Sequence, residues 1–163
     1  MEVAIGGTFD PIHDGHRALL RRALTLADDG RVVVGLTSDE LAPNTRPRPR
    51  EIRPYEQRRR AVESELEALR DEVDVGASFA VETLDDPYGI ASEHPGFDAL
   101  VVSPETEEGG HRINEIRRER GYPELDVVVV PHVMADDGEP ISSTRVVEGE
   151  IDVHGNVLQD ADA

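Results

Sequence analysis

Short apolar runs alternate with longer amphipathic segments along the chain. The apolar runs are rich in Val, which is typical of strands in a sheet that is covered on both faces. They occupy residues 2–5, 31–37, 97–102 and 125–130, with a weaker run at 78–82. The pattern therefore predicts about five buried strands.

The segments between these runs carry apolar residues at helical spacing. In the first of them Leu20, Leu24 and Ala27 recur on one face, while Arg17 and Arg21 lie on the other. Helices are predicted at about 15–27, 55–73 and 110–120, and shorter helices begin at Ser38 and Ser142. Strands that alternate with helices predict an α/β fold, a Rossmann-like parallel sheet of about five strands with helices on both faces.

The length and residue content limit the class of protein. With 163 residues the chain fits a single domain, which we assign to 1–158, and an acidic C-terminal tail, 159–163. There is no Cys, so disulfides, thiolate zinc sites and cysteine nucleophiles are excluded. Neither a basic leader nor a run of about 18 apolar residues is present, so we expect a soluble, cytoplasmic protein.

Acidic residues outnumber basic ones throughout the chain. There are 35 Asp and Glu against 17 basic residues, all of them Arg, and the formal net charge is -18. A field of this sign repels phosphate backbones and anionic lipids, so we expect neither nucleic acid nor a membrane as a partner. Because the acidic residues are spread over the sequence, they indicate a surface adapted to a high-salt cytoplasm, as in halophilic proteins.

One segment departs from this acidity. Residues 46–60 contain seven Arg and only two acidic residues, Glu51 and Glu56, and they overlap a segment, 43–54, with four prolines. Prolines exclude a helix or a central strand there, so we predict a loop at an active site. The Arg residues suggest an anionic ligand, although a solvated loop and helix face would also account for them.

The turn after the first strand is the strongest candidate for chemistry. Gly6 and Gly7 let backbone amides approach an anion, and His13 and His16 stand on either side of Gly15 where a helix begins. The helix amides attract phosphate, and imidazoles can donate hydrogen bonds to its oxygens during phosphoryl or nucleotidyl transfer. A pair of capping histidines is the alternative. No third ligand accompanies the pair, so we expect no protein metal site.

These residues resemble a known signature. Gly7-Thr8-Phe9-Asp10 followed by His13-x-Gly15-His16 is similar to the motif of the HxGH nucleotidylyltransferase superfamily. The resemblance implies a Rossmann-like fold in which an acceptor attacks the α-phosphate of a nucleoside triphosphate in line and pyrophosphate leaves. Residues 140–145, Pro-Ile-Ser-Ser-Thr-Arg, resemble the second nucleotide-binding segment of the superfamily, although taken alone they could equally be a helix cap.

Finer matches favour one family within the superfamily. The chain resembles the archaeal-type phosphopantetheine adenylyltransferases, which are related to the adenylyltransferase domain of eukaryotic CoA synthase. The matching segments are Gly35 to Glu40, Pro54 to Arg58, Val102 to Thr106 with Asn114, and Pro140 to Arg145 followed by Gly149 to Gly155. The resemblance implies transfer of an adenylyl group from ATP to 4′-phosphopantetheine, which gives dephospho-CoA and pyrophosphate in coenzyme A biosynthesis.

The resemblance also implies roles for individual residues. His16 and His13 are the expected catalytic residues, and Thr8 and Arg46 are expected to bind the phosphate of phosphopantetheine. The residues implied in ATP binding are Gly7, Thr8, Phe9, His13, His16, Ser103, Glu105, Thr106, Ser142, Ser143, Thr144 and Arg145. Mg²⁺ is expected to enter with ATP and bridge its triphosphate oxygens. No general base is needed, because the attacking phosphate is already ionised.

One position departs from the family pattern. The family commonly has a Lys shortly after the second strand, and this chain contains no Lys. We predict that Arg46, aided by Arg48 or Arg50, supplies the positive charge and acts as a catalytic residue, with a planar fork in place of a point charge. Arg58 and Arg59 are lesser candidates, which exposed helix charges would explain equally.

Two other functions stay open at this point. Another transferase of the superfamily would use nicotinamide mononucleotide, FMN or glycerol phosphate as acceptor, and the first motif does not separate these from phosphopantetheine. A non-catalytic nucleotide sensor would keep the fold without needing donors for a transition state, so the intact His13, His16 and second motif argue against it. The oligomeric state cannot be read from the sequence.

We predict that the protein is more stable in molar salt. Screening weakens the repulsion among surface carboxylates, and the compact state gains most from this because its charges lie closest together. Thermal melts in about 0.1 M and about 2 M KCl should show a midpoint that is higher by about 5 °C or more in the stronger salt. Melts that superimpose would contradict the prediction.

Overall fold

The computed structural model describes residues 1–42 and 52–158. Strands and helices alternate along these residues. The strands are β1 (Glu2–Gly7), β2 (Arg31–Thr37), β3 (Ser78–Leu84), β4 (Ala99–Val102) and β5 (Asp126–Val129). The helices are α1 (Asp14–Ala27), α2 (Tyr55–Val73), α3 (Gly89–Glu93), α4 (Glu107–Glu119) and α5 (Ser143–Val147). Arg46, Arg48, Arg50 and the acidic tail, 159–163, lie outside the described residues.

The strands form one sheet in the order β3-β2-β1-β4-β5. Every neighbouring pair is parallel. The chain builds outward from β1 to β3 on one side and then crosses to the other side, where β4 and β5 follow. Such a reversal opens a crevice at the carboxyl ends of β1 and β4, where ligands of α/β sheets bind. The predicted fold class, a Rossmann-like parallel sheet of five strands, is confirmed.

Alternation along the strands builds a core on each face of the sheet. Val3 and Ile5 of β1 face one core, in which Leu20 of α1 and Leu66 of α2 are fully buried. Ala4, which lies between the two β1 residues, faces the other core, which includes residues of α3 and α4. Because side chains alternate along a strand, one run of apolar residues serves both cores. Helices therefore cover both faces of the sheet, as predicted.

The segment between β3 and β4 differs from the prediction. Its Pro and Gly content predicts a loop, whereas residues 89–93 form α3. The buried Arg117 of α4 explains the difference. Its guanidinium donates hydrogen bonds to the main-chain oxygens of Ala91, His94 and Pro95. A cation at the C-terminal end of a helix also compensates the helix dipole, so a contact from a distant element stabilises α3.

Strand β3 and the segment after β2 also differ from the prediction. β3 extends to Leu84 because it pairs with β2 along its whole length. Residues 39–41 form a turn and Ala42 has 3₁₀ conformation, so the described residues contain no α-helix where a short one is predicted. Ser38 does cap this turn, since its Oγ accepts from the Leu41 N–H at 3.1 Å. Across 1–42 and 52–158, no helix has the length and apolar character that crossing a bilayer requires.

Asn114 generates a prediction about stability. Its buried carboxamide donates to the Leu125 carbonyl at 3.0 Å and accepts from the Leu125 N–H at 2.7 Å. Asn114→Ala should lower the free energy of unfolding by about 2–4 kcal/mol, because both main-chain groups lose their partner inside the protein. Urea unfolding measures the change. The exposed Arg112→Gln on the same helix should change it by less than about 0.5 kcal/mol, and an equally small effect of Asn114→Ala would refute the assignment.

Candidate active site

A cavity of about 760 Å³ opens at the carboxyl ends of the central strands. It is lined by the turn after β1, the turn after β4, the segment after β5 and the start of α5. His16, near the N-terminus of the chain, and Ser143, near its C-terminus, both line this cavity. The motifs at opposite ends of the chain therefore meet at the crevice that the strand order creates.

Most residues with an expected role in ATP binding line the cavity, namely Gly7, Thr8, Phe9, His13, His16, Ser103, Glu105, Thr106, Ser142, Ser143 and Thr144. Arg145 is not among the lining residues, and Arg46 lies outside the described part of the chain. Within 1–42 and 52–158, no group of three His, Asp or Glu side chains is arranged to hold a metal ion. The roles of the lining residues remain predictions that their positions permit.

His13 caps the N-terminus of α1. Its Nδ1 accepts hydrogen bonds from the Gly15 N–H at 3.0 Å and the His16 N–H at 3.4 Å. The Nδ1 of His16 in turn accepts from the His13 N–H at 3.2 Å. A ring nitrogen that accepts a main-chain N–H bears no proton, so the proton of each neutral ring lies on Nε2. Each imidazole therefore carries one N–H, at Nε2.

Packing fixes the two rings against each other, and burial keeps His13 neutral. The rings of His13 and His16 stack with their centroids 3.8 Å apart. Burial lowers the pKa of His13 to about 4; the Asp14 carboxylate opposes this shift, and the Arg17 guanidinium adds to it. His13 is thus neutral near pH 7. Gly15 is required here, because a Cβ at this position would lie 2.7 Å from Cε1 of His13.

The C-terminal segment is tied to the same turn. Ser143 Oγ donates to the Pro11 carbonyl at 2.9 Å, and the Asp14 N–H donates to the Val153 carbonyl at 2.9 Å. The His154 ring also contacts the Asp14 carboxylate, with 3.1 Å between Nδ1 and Oδ1. These contacts hold the C-terminal segment, which contains the second motif, against the turn that contains the first. The segment thereby forms one side of the cavity.

Arg145 is held by contacts within the C-terminal segment, and its expected role in ATP binding stays a prediction. Its guanidinium pairs with the carboxylates of Asp137 and Glu150 and donates to the Pro140 carbonyl at 3.0 Å. Ser142 caps α5 by accepting from the Arg145 N–H at 3.2 Å. Two carboxylates therefore pair with Arg145, and the side chain stabilises the loop before α5.

The turn after β4 has a hydrogen-bonded structure of its own. Thr106 Oγ1 accepts from the Ser103 N–H at 2.9 Å, and the two hydroxyl oxygens are 3.1 Å apart. His132 also lines the cavity, with its Nε2 3.9 Å from Oε1 of Glu105. The sequence analysis does not single out His132. Its place shortly after β5 is the signal that could have found it, since ligands gather at the carboxyl ends of parallel strands.

Arg58 requires a correction. An exposed helix charge would explain it as a lesser candidate, whereas its side chain is fully buried. Arg59 does lie on the surface, where it pairs with Glu63 at 2.8 Å. The buried residues of α2 are Arg58, Val62, Leu66 and Leu69. Arg58 thus continues the apolar stripe by helical spacing, and this periodicity could have revealed it.

Three comparisons place the chain among known proteins. It matches the family described as Cytidylyltransferase-like over residues 4–149. It is 45% identical over 157 residues to the phosphopantetheine adenylyltransferase of Methanothermobacter thermautotrophicus, covering 96% of this chain and 89% of that protein. It is 43% identical over 163 residues to the phosphopantetheine adenylyltransferase of Methanosarcina acetivorans, with 99% of each covered. A solved structure of a protein of unknown function from Archaeoglobus fulgidus is similar at a TM-score of 0.66 and 34% identity, covering 80% of this chain and 89% of that one.

We predict that His13 makes stability depend on pH between its ordinary pKa of 6.5 and about 4. In this window the unfolded chain binds a proton that the folded protein does not, so the free energy of unfolding falls as the pH falls. His13→Asn keeps an acceptor at the cap and removes the titration. Between about pH 7 and about pH 5.2, the wild type should lose about 1.5–2 kcal/mol more than this variant.

Urea unfolding at the two pH values measures this difference. The lower value stays above the sequence pI of about 4.6, which limits aggregation. The matched control is His111→Asn, because His111 is exposed on α4 and its replacement should leave the wild-type pH dependence in place. The same pH dependence in wild type and His13→Asn would mean that the fold does not hold His13 neutral.

Proposed function

The chain belongs to the cytidylyltransferase-like family, and on this basis we propose that it acts as a phosphopantetheine adenylyltransferase. It transfers the adenylyl group of ATP to 4′-phosphopantetheine and releases pyrophosphate, which gives dephospho-CoA in coenzyme A biosynthesis. One observation carries the proposal: motifs from opposite ends of the chain line one cavity, with paired imidazoles where α1 begins. The names of the two archaeal relatives support the choice of acceptor.

The reaction depends on positioning and charge stabilisation. A phosphate oxygen of 4′-phosphopantetheine attacks the α-phosphorus of ATP, and the bond from that phosphorus to the bridging oxygen breaks. Pyrophosphate leaves with the electron pair. The attacking phosphate is already ionised near neutral pH, so no side chain has to remove a proton. The protein's task is to stabilise the negative charge on the oxygens of the transferring group.

Neutral imidazoles suit this task. The Nε2–H groups of His16 and His13 donate to phosphate oxygens, and the N-terminus of α1 attracts the same charge. Arg46 supplies the positive charge that commonly comes from a Lys in the family, here on a planar guanidinium. Mg²⁺ would enter as part of the substrate, in its complex with ATP, and would neutralise part of the triphosphate charge.

Apolar residues on one side of the cavity favour the same acceptor. Leu41, Leu84 and Ile90 line the side that β2, β3 and α3 form. An apolar wall suits the uncharged arm of phosphopantetheine, which extends away from the reacting phosphate. Nicotinamide mononucleotide would present a cationic ring to this wall, and glycerol phosphate is too short to use it.

We predict pyrophosphate release that depends on 4′-phosphopantetheine. With nicotinamide mononucleotide, FMN or glycerol 3-phosphate in its place, release should be at least about tenfold slower. His16→Ala should lower turnover by about 10²–10³-fold, because one preorganised donor to the α-phosphate is lost. The affinity for ATP, measured by calorimetry, should change far less, since the donor acts mainly in the transition state.

The matched control is His111→Ala, which removes an exposed imidazole from α4 and should keep wild-type turnover. Faster release with another acceptor would assign a different substrate within the family. If ATP binds but no pyrophosphate is released with any of the acceptors, the protein is a nucleotide sensor and the proposal is contradicted.

A further inference from the structure

A buried guanidinium lies beside the turn after β1. Nη1 of Arg58 donates to the Thr8 carbonyl at 3.4 Å and to Thr37 Oγ1 at 3.3 Å. Its Nε donates to the Arg53 carbonyl at 2.8 Å, and its Nη2 donates to the Asp39 carboxylate at 3.0 Å. One side chain thus joins the turns after β1 and β2 to the start of α2.

The two threonines that Arg58 contacts also contact each other. Thr8 Oγ1 and Thr37 Oγ1 are 2.8 Å apart, and both residues line the cavity. The distance alone does not say which hydroxyl donates. Arg58 makes Thr37 the favoured donor, because the guanidinium has only donors and takes up one of the two acceptor positions on the Thr37 hydroxyl.

The direction follows from where each proton can go. Thr37 Oγ1 accepts from Arg58, and its own proton then needs an acceptor, because Thr37 is only 3% exposed. In the part of the chain that the structure describes, the acceptor provided for this proton is Thr8 Oγ1. Thr8 accepts it, so the hydroxyl proton of Thr8 is left to donate toward the cavity.

We propose that Arg58 is a positioning residue that acts through Thr37 to orient the Thr8 hydroxyl as a hydrogen-bond donor to a phosphate group in the cavity. Every group in the relay from Arg58 through Thr37 to Thr8 donates in the same direction, and each donation strengthens the next. The inference rests on the proposed function only in taking a phosphate as the ligand. It also explains why an Arg occupies the buried stripe of α2.

A double-substitution cycle of Thr37→Val and Thr8→Val tests the relay. Thr37→Val removes the middle hydroxyl and should raise the dissociation constant of Mg²⁺-ATP about fivefold to tenfold in calorimetry. In the Thr8→Val background the same substitution should change it by less than about twofold, because the relay has lost its last donor. Thr37→Ser restores the hydroxyl and should recover most of the affinity.

A variant of Arg58 itself extends the test. Arg58→Met should reproduce the loss seen with Thr37→Val, and the Thr37 variants keep the test decisive if this buried substitution prevents folding. Arg60→Gln, on the exposed face of the same helix, is the control and should keep wild-type affinity. Thermal midpoints close to that of the wild type would show that a change in affinity does not come from unfolding.

The outcomes separate this inference from the proposed function. Equal losses in both backgrounds, or no loss in either, would overturn the relay even if the wild type adenylates phosphopantetheine. If turnover with phosphopantetheine is absent while the two substitutions remain non-additive in ATP affinity, the proposed function fails and the relay is supported.

Discussion

The cavity depends on one constraint, which is that the main chain from Thr8 to His16 is held from both sides. Arg58 donates to the Thr8 carbonyl on the side of α2. Ser143 donates to the Pro11 carbonyl on the side of the C-terminal segment. Both donors are far from the turn in sequence, so the turn is held in this way only when α2 and the C-terminal segment are both in place. The geometry of the phosphate site is therefore a product of the whole fold.

Local patterns predict the scaffold because each element has to bury one face. The Val-rich strands and the helical repeat of α2 need only the periodicity of the sequence, and the observed bounds of α2 are the predicted ones. Local patterns do not predict helix α3, because it is stabilised by hydrogen bonds that the guanidinium of Arg117, on a later helix, donates to main-chain oxygens. A five-residue helix is too short to be stable through its own propensity, so its sequence carries no clear signal.

The candidate site divides in the same way. His13, His16 and Ser143 can be found from the sequence because they stand at a strand end or a helix start, in motifs that resemble those of a family. The charge of Arg58 indicates exposure, although its spacing places it in the buried stripe of α2. Arg145 pairs with the carboxylates of Asp137 and Glu150, and its motif does not reveal these partners. The spacing of Arg58 indicates its burial, whereas its partners at Thr8 and Thr37 lie on other elements and are not contained in any local pattern.

Capping and catalysis are compatible roles for one imidazole. The sequence leaves open whether the histidine pair caps a helix or serves a phosphate, and the geometry allows both at once. His13 uses Nδ1 to cap α1, and burial keeps the ring neutral. Such a ring has a single N–H, at Nε2. The ring cannot flip to point this N–H elsewhere without losing the hydrogen bonds of the cap. The cap therefore orients the donor before any phosphate arrives, and this is the preorganisation that stabilising a transition-state charge requires.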